Sequence, residues 1–313
     1  MPAAGDSLAV PTHAPAAGSD DPLALHGVVP PTVTAFETDE SLDVETTAEH
    51  ARFVVDAGVH GVFPLGTNGE FPLLTPDERD RVVEAVVDEV GGEVPVIAGV
   101  GAPSTRQTIA HAEHAESAGA DGVVVVTPYY YPLDGEAAVR HYRDVAATVD
   151  CPVYVYHIPS KTGNELSLET LEDLAGIDNL AGLKDSSKDV PWLGQVVDAH
   201  PELTVLAGSD SLLAPGLDLG CAGLVSAVAN AFPELVVALY EAYDDGDRAL
   251  AAELQSTVYD VRSALKRGPY MAGVKTALDR RGFDAGPLRS PLCRMDAEQR
   301  ARLEAALDDV DLP

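Results

Sequence analysis

Between His26 and Ala229, short apolar runs alternate with longer amphipathic stretches. The runs are Gly27–Thr34, Val59–Leu65, Val94–Val100, Gly122–Thr127, Val153–His157, Leu180–Lys184, Leu203–Ala207 and Gly223–Ala227. Each is rich in Val, Leu and Ala and is continuous, as expected of parallel strands buried on both faces. Between them lie helical patterns such as Thr47–Ala57, Pro76–Val90, Thr105–Ala118 and Glu136–Val149. The repeat is about 30 residues, the size of one βα unit. Thr75-Pro76-Asp77-Glu78 has the form of a capped helix start, with Pro in the first turn and Glu three residues after the cap. Gly58 and Gly119 each stop a helix just before a strand.

Eight strands in βα order predict an α/β fold, a closed (β/α)8 TIM barrel, over a doubly wound sheet, which has a glycine fingerprint after its first strand. Beyond Ala229 the pattern is helical to about Asp308, so additional C-terminal helices pack on the end of the barrel. The domain reading is residues 1–25 as a disordered Ala/Pro-rich extension, 26–232 as the catalytic barrel, and 233–313 as the last barrel helix and a helical extension.

Composition narrows the function. With 20 basic and 51 acidic residues, the formal charge is −31, which argues against nucleic-acid or anionic-membrane partners. Acidic residues are spread along the helical stretches, a solvated surface suited to molar salt, where Debye screening shrinks to about 3 Å at 1 M. This predicts a halophilic protein. No apolar run approaches the roughly 20 residues of a membrane span. No basic residue precedes an apolar stretch at the amino terminus, and Cys151, Cys221 and Cys293 are scattered, so a reducing cytoplasm is expected.

In such a barrel the chemistry lies at the carboxyl ends of the strands. Those ends read Gly66-Thr67-Asn68-Gly69-Glu70, Thr127-Pro128-Tyr129-Tyr130-Tyr131, Tyr156-His157, Lys184-Asp185-Ser186 and Ser209-Asp210. Lys184 closes an apolar run in a chain with five lysines. Desolvated there, its amine is a nucleophile for a ketone; ion-paired with Asp185, it is structural. Tyr156 closes the preceding strand, facing the same mouth or filling the core. The two glycines around Thr67 and Asn68 let backbone N–H groups converge on a small anion. His111 and His114 are three apart on a helix outside the barrel with no third ligand, so no metal site is expected.

These motifs, Gly66–Glu70, Thr127–Tyr130, Tyr156–Gly163, Gly182–Lys184, Ala207–Asp210 and Gly223–Asn230, occur in an order that resembles the pyruvate-dependent class I lyases. That family includes dihydrodipicolinate synthase, N-acetylneuraminate lyase and 2-keto-3-deoxygluconate aldolase. The resemblance runs from about Gly27 to Ser290. It implies that Lys184 forms a Schiff base with pyruvate, with no cofactor besides. Tyr156 is then the acid/base, relayed through Thr67 and through Tyr130 reaching into a neighbouring subunit of a homodimer or homotetramer. Thr67 and Asn68 hold the pyruvate carboxylate, and His157, Lys161, Ser209, Asp210 and Val225 line the rest of the site.

The synthases carry an arginine in the segment after the tyrosine, where this chain has Lys161. The Gly-Thr-Asn-Gly-Glu-Phe form of the loop is closer to keto-acid aldolases. The expectation is therefore a lyase cleaving a 2-keto-3-deoxy sugar acid, foremost 2-keto-3-deoxygluconate, to pyruvate and an aldehyde. The alternatives are 4-hydroxy-tetrahydrodipicolinate synthase, condensing pyruvate with aspartate semialdehyde, and a keto-acid-binding barrel without turnover. A phosphorylated aldehyde would call for a basic cluster at the mouth, and the sequence shows no clear one.

Overall fold

A computed structural model describes Leu23 and residues 25–312. Along them the chain forms β1 (Gly27–Val28), a small antiparallel hairpin of β2 (Ala35–Phe36) and β3 (Leu42–Asp43), α1 (Val44–Asp56) and α2 (Pro76–Val90). Then come β4 (Ile97–Gly99), α3 (Thr105–Ser117), β5 (Gly122–Val126), α4 (Gly135–Ala146), β6 (Val153–His157), α5 (Pro159–Thr162) and α6 (Leu168–Ala175). The barrel continues through β7 (Leu180–Asp185), α7 (Val190–Ala199), β8 (Thr204–Ala207), α8 (Leu213–Asp218) and β9 (Gly223–Leu224). It is followed by α9 (Pro233–Asp244), α10 (Arg248–Leu265), α11 (Tyr270–Arg280) and α12 (Ala297–Asp308).

Seven strands form one parallel sheet in the order β1-β9-β8-β7-β6-β5-β4. The predicted strand over 59–65 closes the ring between β4 and β1 without counting as a regular strand. On one side His60 N donates to Val28 O (2.9 Å), Phe63 N to Pro30 O (3.0 Å) and Thr32 N to Phe63 O (3.1 Å). On the other, Val62 N donates to Pro95 O (2.9 Å), Ile97 N to Val62 O (3.0 Å) and Gly99 N to Pro64 O (2.9 Å). Pro30, Pro31, Pro64 and Pro95 remove donors along both seams, so the ladder is broken there and only Val62–Val96 registers as a bridge. The fold is thus the expected (β/α)8 barrel with additional C-terminal helices.

Val123–Val126 is buried on every residue, as a strand covered on both faces requires. The Thr75 capping box forms: Glu78 N donates to Thr75 Oγ1 and Thr75 N donates to the Glu78 carboxylate. Gly58 and Gly119, after α1 and α3, take φ of +91° and +92°. The β2/β3 hairpin has two-residue strands, too short to leave a period in the sequence. Most of the extension predicted over 1–25 lies outside the described residues. Leu25 is buried in the core and Leu23 packs against it. No helix among the described residues is long and apolar enough to cross a membrane.

The buried His50 on α1 ties that helix to the end of the barrel. Its Nε2–H donates to Asn230 O (3.1 Å), and its ring lies beside Phe53 and Phe283. Burial, helped by Lys275 and opposed by the Asn230 carbonyl, pushes its pKa from 6.5 down to about 4. The folded state therefore holds this ring neutral where the unfolded chain would protonate it. Its contribution is fully present above pH 6.5 and is lost as pH falls from 6.5 toward 4, by at most about 3 kcal/mol. His111 and His141, both pushed by burial to about 4, act in the same direction. The urea midpoint is expected to fall between pH 7 and pH 4.5, and to fall less in a His50→Gln variant; equal slopes would contradict this assignment.

Candidate active site

Alternation along a strand decides what meets inside the barrel. Tyr156 on β6 pairs in register with Lys184 on β7, and both side chains are buried at the carboxyl ends of their strands. Lys184 Nζ lies 3.6 Å from the centroid of the Tyr156 ring and 4.7 Å from that of Phe63. Room for the lysine depends on Gly208, where an added Cβ would sit 2.3 Å from Ser186 Oγ and 3.1 Å from Lys184 Cε. Gly182 is needed similarly, since a Cβ there would meet Thr204 O and the Tyr154 ring.

Asp185, one residue on, faces the other side of the sheet. Its carboxylate receives His157 Nδ1–H (2.9 Å), Ser187 N (3.1 Å) and Ser187 Oγ–H (2.9 Å). The ion-paired reading of Lys184 is thereby set aside, and no carboxylate among the described residues lies within 4 Å of its amine. Burial pushes the Lys184 pKa down, against the opposing pull of Tyr156 and Asp210. For the Tyr156 phenol, burial works against ionisation. The Lys184 charge and hydrogen bonds with Thr67, Ser186 and Lys184 outweigh it and hold the phenol below its usual value.

The Gly66–Glu70 loop turns on two left-handed residues, Leu65 (φ 59°) and Glu70 (φ 55°). Gly69 N donates to Gly66 O (3.1 Å), Glu70 N to Thr67 O (3.2 Å), and Thr34 Oγ1–H to Gly69 O (2.7 Å). Thr67 Oγ1 is 3.2 Å from the Tyr156 hydroxyl. Among the described residues, the backbone N–H groups of Thr67 and Asn68 find no acceptor, and neither does the buried Asn68 Nδ2. Buried donors are nearly always paired, so the loop's donors, Asn68 Nδ2 above all, are suited to receive an anion. Glu70 fixes the loop from behind: its buried carboxylate lies 3.1 Å from Lys275 Nζ and accepts Arg289 N (2.9 Å).

Lys184, Tyr156 and Thr67 therefore come together, with Asn68 on the same loop. The other predicted site residues do not join them directly. His157 is committed on the outer face, between Asp185, Leu166 N (3.2 Å) and the Trp192 ring. Asp210 is consumed by Ser226 Oγ–H (2.6 Å), Val228 N (3.2 Å) and Tyr270 O–H (2.7 Å). Ser209 is buried beside it, and Val225 is buried just past β9, its N–H donating to Ala207 O. Lys161 is exposed on α5. Tyr130 is 83% exposed with φ of 82°, its ring against that of Tyr131, and is outside the cluster of its own chain. His114 stands 3.7 Å from Asp80 and 3.4 Å from Glu84 on α2, outside the barrel. Sequence reading missed Phe63 and Ser186; Ser186 was accessible in principle, two residues from Lys184 and so on the same face.

A parallel barrel with a desolvated lysine against a tyrosine at its mouth has the groups to handle a carbonyl. The family model described as the dihydrodipicolinate synthetase family matches residues 24–310, and the chain belongs to that family. It is a pyruvate-dependent lyase. Two Halobacterium salinarum proteins, each described as an uncharacterized DapA-like lyase, are 82% identical over 97% of this chain and 100% of their own length. A 4-hydroxy-tetrahydrodipicolinate synthase from Natronomonas pharaonis is 38% identical over 91% of this chain and 97% of its own. Among solved structures, YagE of E. coli K12, a member of the same family in complex with pyruvate, is 34% identical with a TM-score of 0.88, covering 92% of this chain and 99% of its own.

Proposed function

We propose that the protein is a class I aldolase that cleaves a 2-keto-3-deoxy sugar acid, foremost 2-keto-3-deoxygluconate, to pyruvate and an aldehyde through a Schiff base on Lys184. The observation that carries this is the buried Lys184 amine, with no carboxylate within 4 Å among the described residues and set 3.6 Å from the centroid of the Tyr156 ring.

Burial favours the neutral amine, which attacks the keto carbon; loss of water gives an iminium. The carboxylate of the keto acid is held by Thr67 N–H, Asn68 N–H and Asn68 Nδ2, donors without other partners among the described residues. The iminium accepts the electron pair of the breaking carbon–carbon bond while Tyr156 takes the proton from the departing hydroxyl. The resulting enamine is reprotonated at carbon by Tyr156, and water releases pyruvate. The iminium puts a positive charge beside Tyr156, which favours its phenolate until the carbon–carbon bond breaks and the neutral enamine forms. Thr67 orients the phenol, and Tyr130, exposed on its own chain, completes the relay in a second subunit of a homodimer or homotetramer. The chemistry calls for no metal or organic cofactor.

The synthase reading is favoured by the relatives of that name at 34–38% identity. Against it stands Lys161, a point charge where a fork for a carboxylate would be needed. We place the enzyme in the cytoplasm, and its acidic surface suits the salt of an organism like Halobacterium.

Release of pyruvate from 2-keto-3-deoxygluconate, compared with condensation of pyruvate and aspartate semialdehyde, tests the choice. Faster condensation than cleavage would favour the synthase. Tyr156→Phe is expected to lower kcat by about 10²–10⁴, the usual range for a general acid–base, while leaving pyruvate bound to Lys184. A variant with undiminished kcat would remove Tyr156 from the mechanism.

A further inference from the structure

The nucleophile and the acid/base stand on neighbouring strands, so their meeting depends on a single register. The ladder between β6 and β7 is not regular. It passes from Val153–Leu180 to Tyr154–Gly182, skipping Ala181, and then runs for four pairs to the strand ends. A slip of one residue there would turn Tyr156 or Lys184 out of the barrel. The last of the four pairs is His157–Asp185, one residue beyond Tyr156 and Lys184 and on the opposite face of the sheet. Its side chains bond across the strands, His157 Nδ1–H donating to Asp185 Oδ1 (2.9 Å), and both are 1% exposed. The Trp192 ring covers them, its centroid 4.5 Å from that of His157.

The other imidazole nitrogen leads toward the second tyrosine. Leu166 N can only donate, so Nε2 accepts that 3.2 Å bond and the ring proton sits on Nδ1, toward Asp185. Two residues earlier, the buried Asn164 donates through Nδ2 to Pro128 O (2.8 Å) and Tyr131 O (2.9 Å), and its Oδ1 accepts Leu133 N (2.9 Å). These bonds bracket Tyr130, whose left-handed backbone (φ 82°) is costly for a bulky residue and persists only where its surroundings hold it. A buried polar pair seldom adds stability over apolar residues of the same size, and its best-attested use is to select one register. We propose that His157 is a positioning residue of the reaction: with Asp185 it holds Tyr156 opposite Lys184, and through the segment 164–166 it steadies the loop that carries Tyr130. His157 faces away from the reacting groups and acts through the two strands. The inference rests on the Schiff-base reading above and adds a supporting residue to it.

The test needs pyruvate alone, so it is independent of the aldehyde. From the iminium of pyruvate, a methyl proton passes to the Tyr156 phenolate to give the enamine. Return of a deuteron through the tyrosine then exchanges the methyl group with heavy water, which proton NMR follows. His157→Leu/Asp185→Asn breaks the cross-strand bond without stranding a charge, because the new amide still serves Ser187 N and Ser187 Oγ. In this variant kcat for exchange should fall about 10–100-fold, the scale of a misplaced reacting group, with KM within about twofold because the pyruvate carboxylate is assigned to the Gly66–Glu70 loop. His157→Asn, whose amide N–H reaches the place of Nδ1–H, should recover most of that loss. A merely structural pair would lower the urea midpoint and leave exchange by the folded protein unchanged, which overturns the proposal. So does a His157→Asn protein that exchanges no faster than the double variant. If the double variant does not fold, His157→Gln replaces it under the same expectation, since it keeps a partner for Leu166 N and gives up the bond to Asp185. Absence of both exchange and borohydride trapping in the wild type would instead remove the Schiff-base reading itself.

Discussion

Lys184→Ala is expected to leave a folded barrel that no longer releases pyruvate, with turnover reduced at least about 10³-fold, as when an enzyme loses the nucleophile its other groups serve. The amine is buried, has no carboxylate within 4 Å among the described residues, and is packed against Phe63 and Tyr156. A structural lysine in that position would be ion-paired, and its nearest sequence candidate, Asp185, points to the opposite face and holds His157. Removing the amine also removes the charge that offsets the burial of the Tyr156 phenol, so the phenol's pKa should rise in the variant. Far-ultraviolet circular dichroism checks the fold, and a coupled pyruvate assay checks the loss. Retention of more than a small fraction of turnover would show that the amine is not the nucleophile.

Lys275→Met is expected to produce the largest loss of stability, about 3–5 kcal/mol, the usual cost of stranding one member of a buried ion pair. Lys275 Nζ donates to Pro287 O (2.7 Å), lies 3.1 Å from Glu70 Oε1 and sits over the Phe36 ring. Without it, the Glu70 carboxylate keeps Arg289 N as its one hydrogen-bond partner among the described residues. Burial already holds the Glu70 pKa above its ordinary value, and loss of Lys275 raises it further. A group whose folded pKa is raised is least costly protonated, so the deficit relative to wild type should shrink as pH falls through that raised value. The double variant Glu70→Gln/Lys275→Met should recover much of the loss. Because Glu70 ends the loop that carries Thr67 and Asn68, the pyruvate KM of Lys275→Met should rise more than kcat falls. Urea denaturation at several pH values and steady-state kinetics read both effects; a stability change under about 1 kcal/mol would show that the pair is solvated.

The parts that sequence made legible are those with a long period or a strict position. The continuous valine run of β5, the capped start of α2 and the lysine at the end of β7 were readable directly. The second barrel strand was placed correctly as a run, yet prolines at four seam positions keep it from pairing regularly. His157 and Asp210 were credited to the mouth because they stand at or just past strand ends. Period-two alternation turns His157 away once Tyr156 faces in, and Asp210 is drawn into contacts with Ser226 and Tyr270. The brace of Glu70, Lys275 and Arg289 joins residues some two hundred positions apart, which no local pattern encodes.

The central claim is that Lys184 carries the substrate as an imine. It is tested most directly by treating the folded protein, in concentrated KCl, with pyruvate and borohydride and mapping the adduct by mass spectrometry. The account predicts one reduced pyruvyl group, on Lys184. An adduct on another lysine, or none on folded protein, would contradict it and bring forward a keto-acid-binding barrel without turnover.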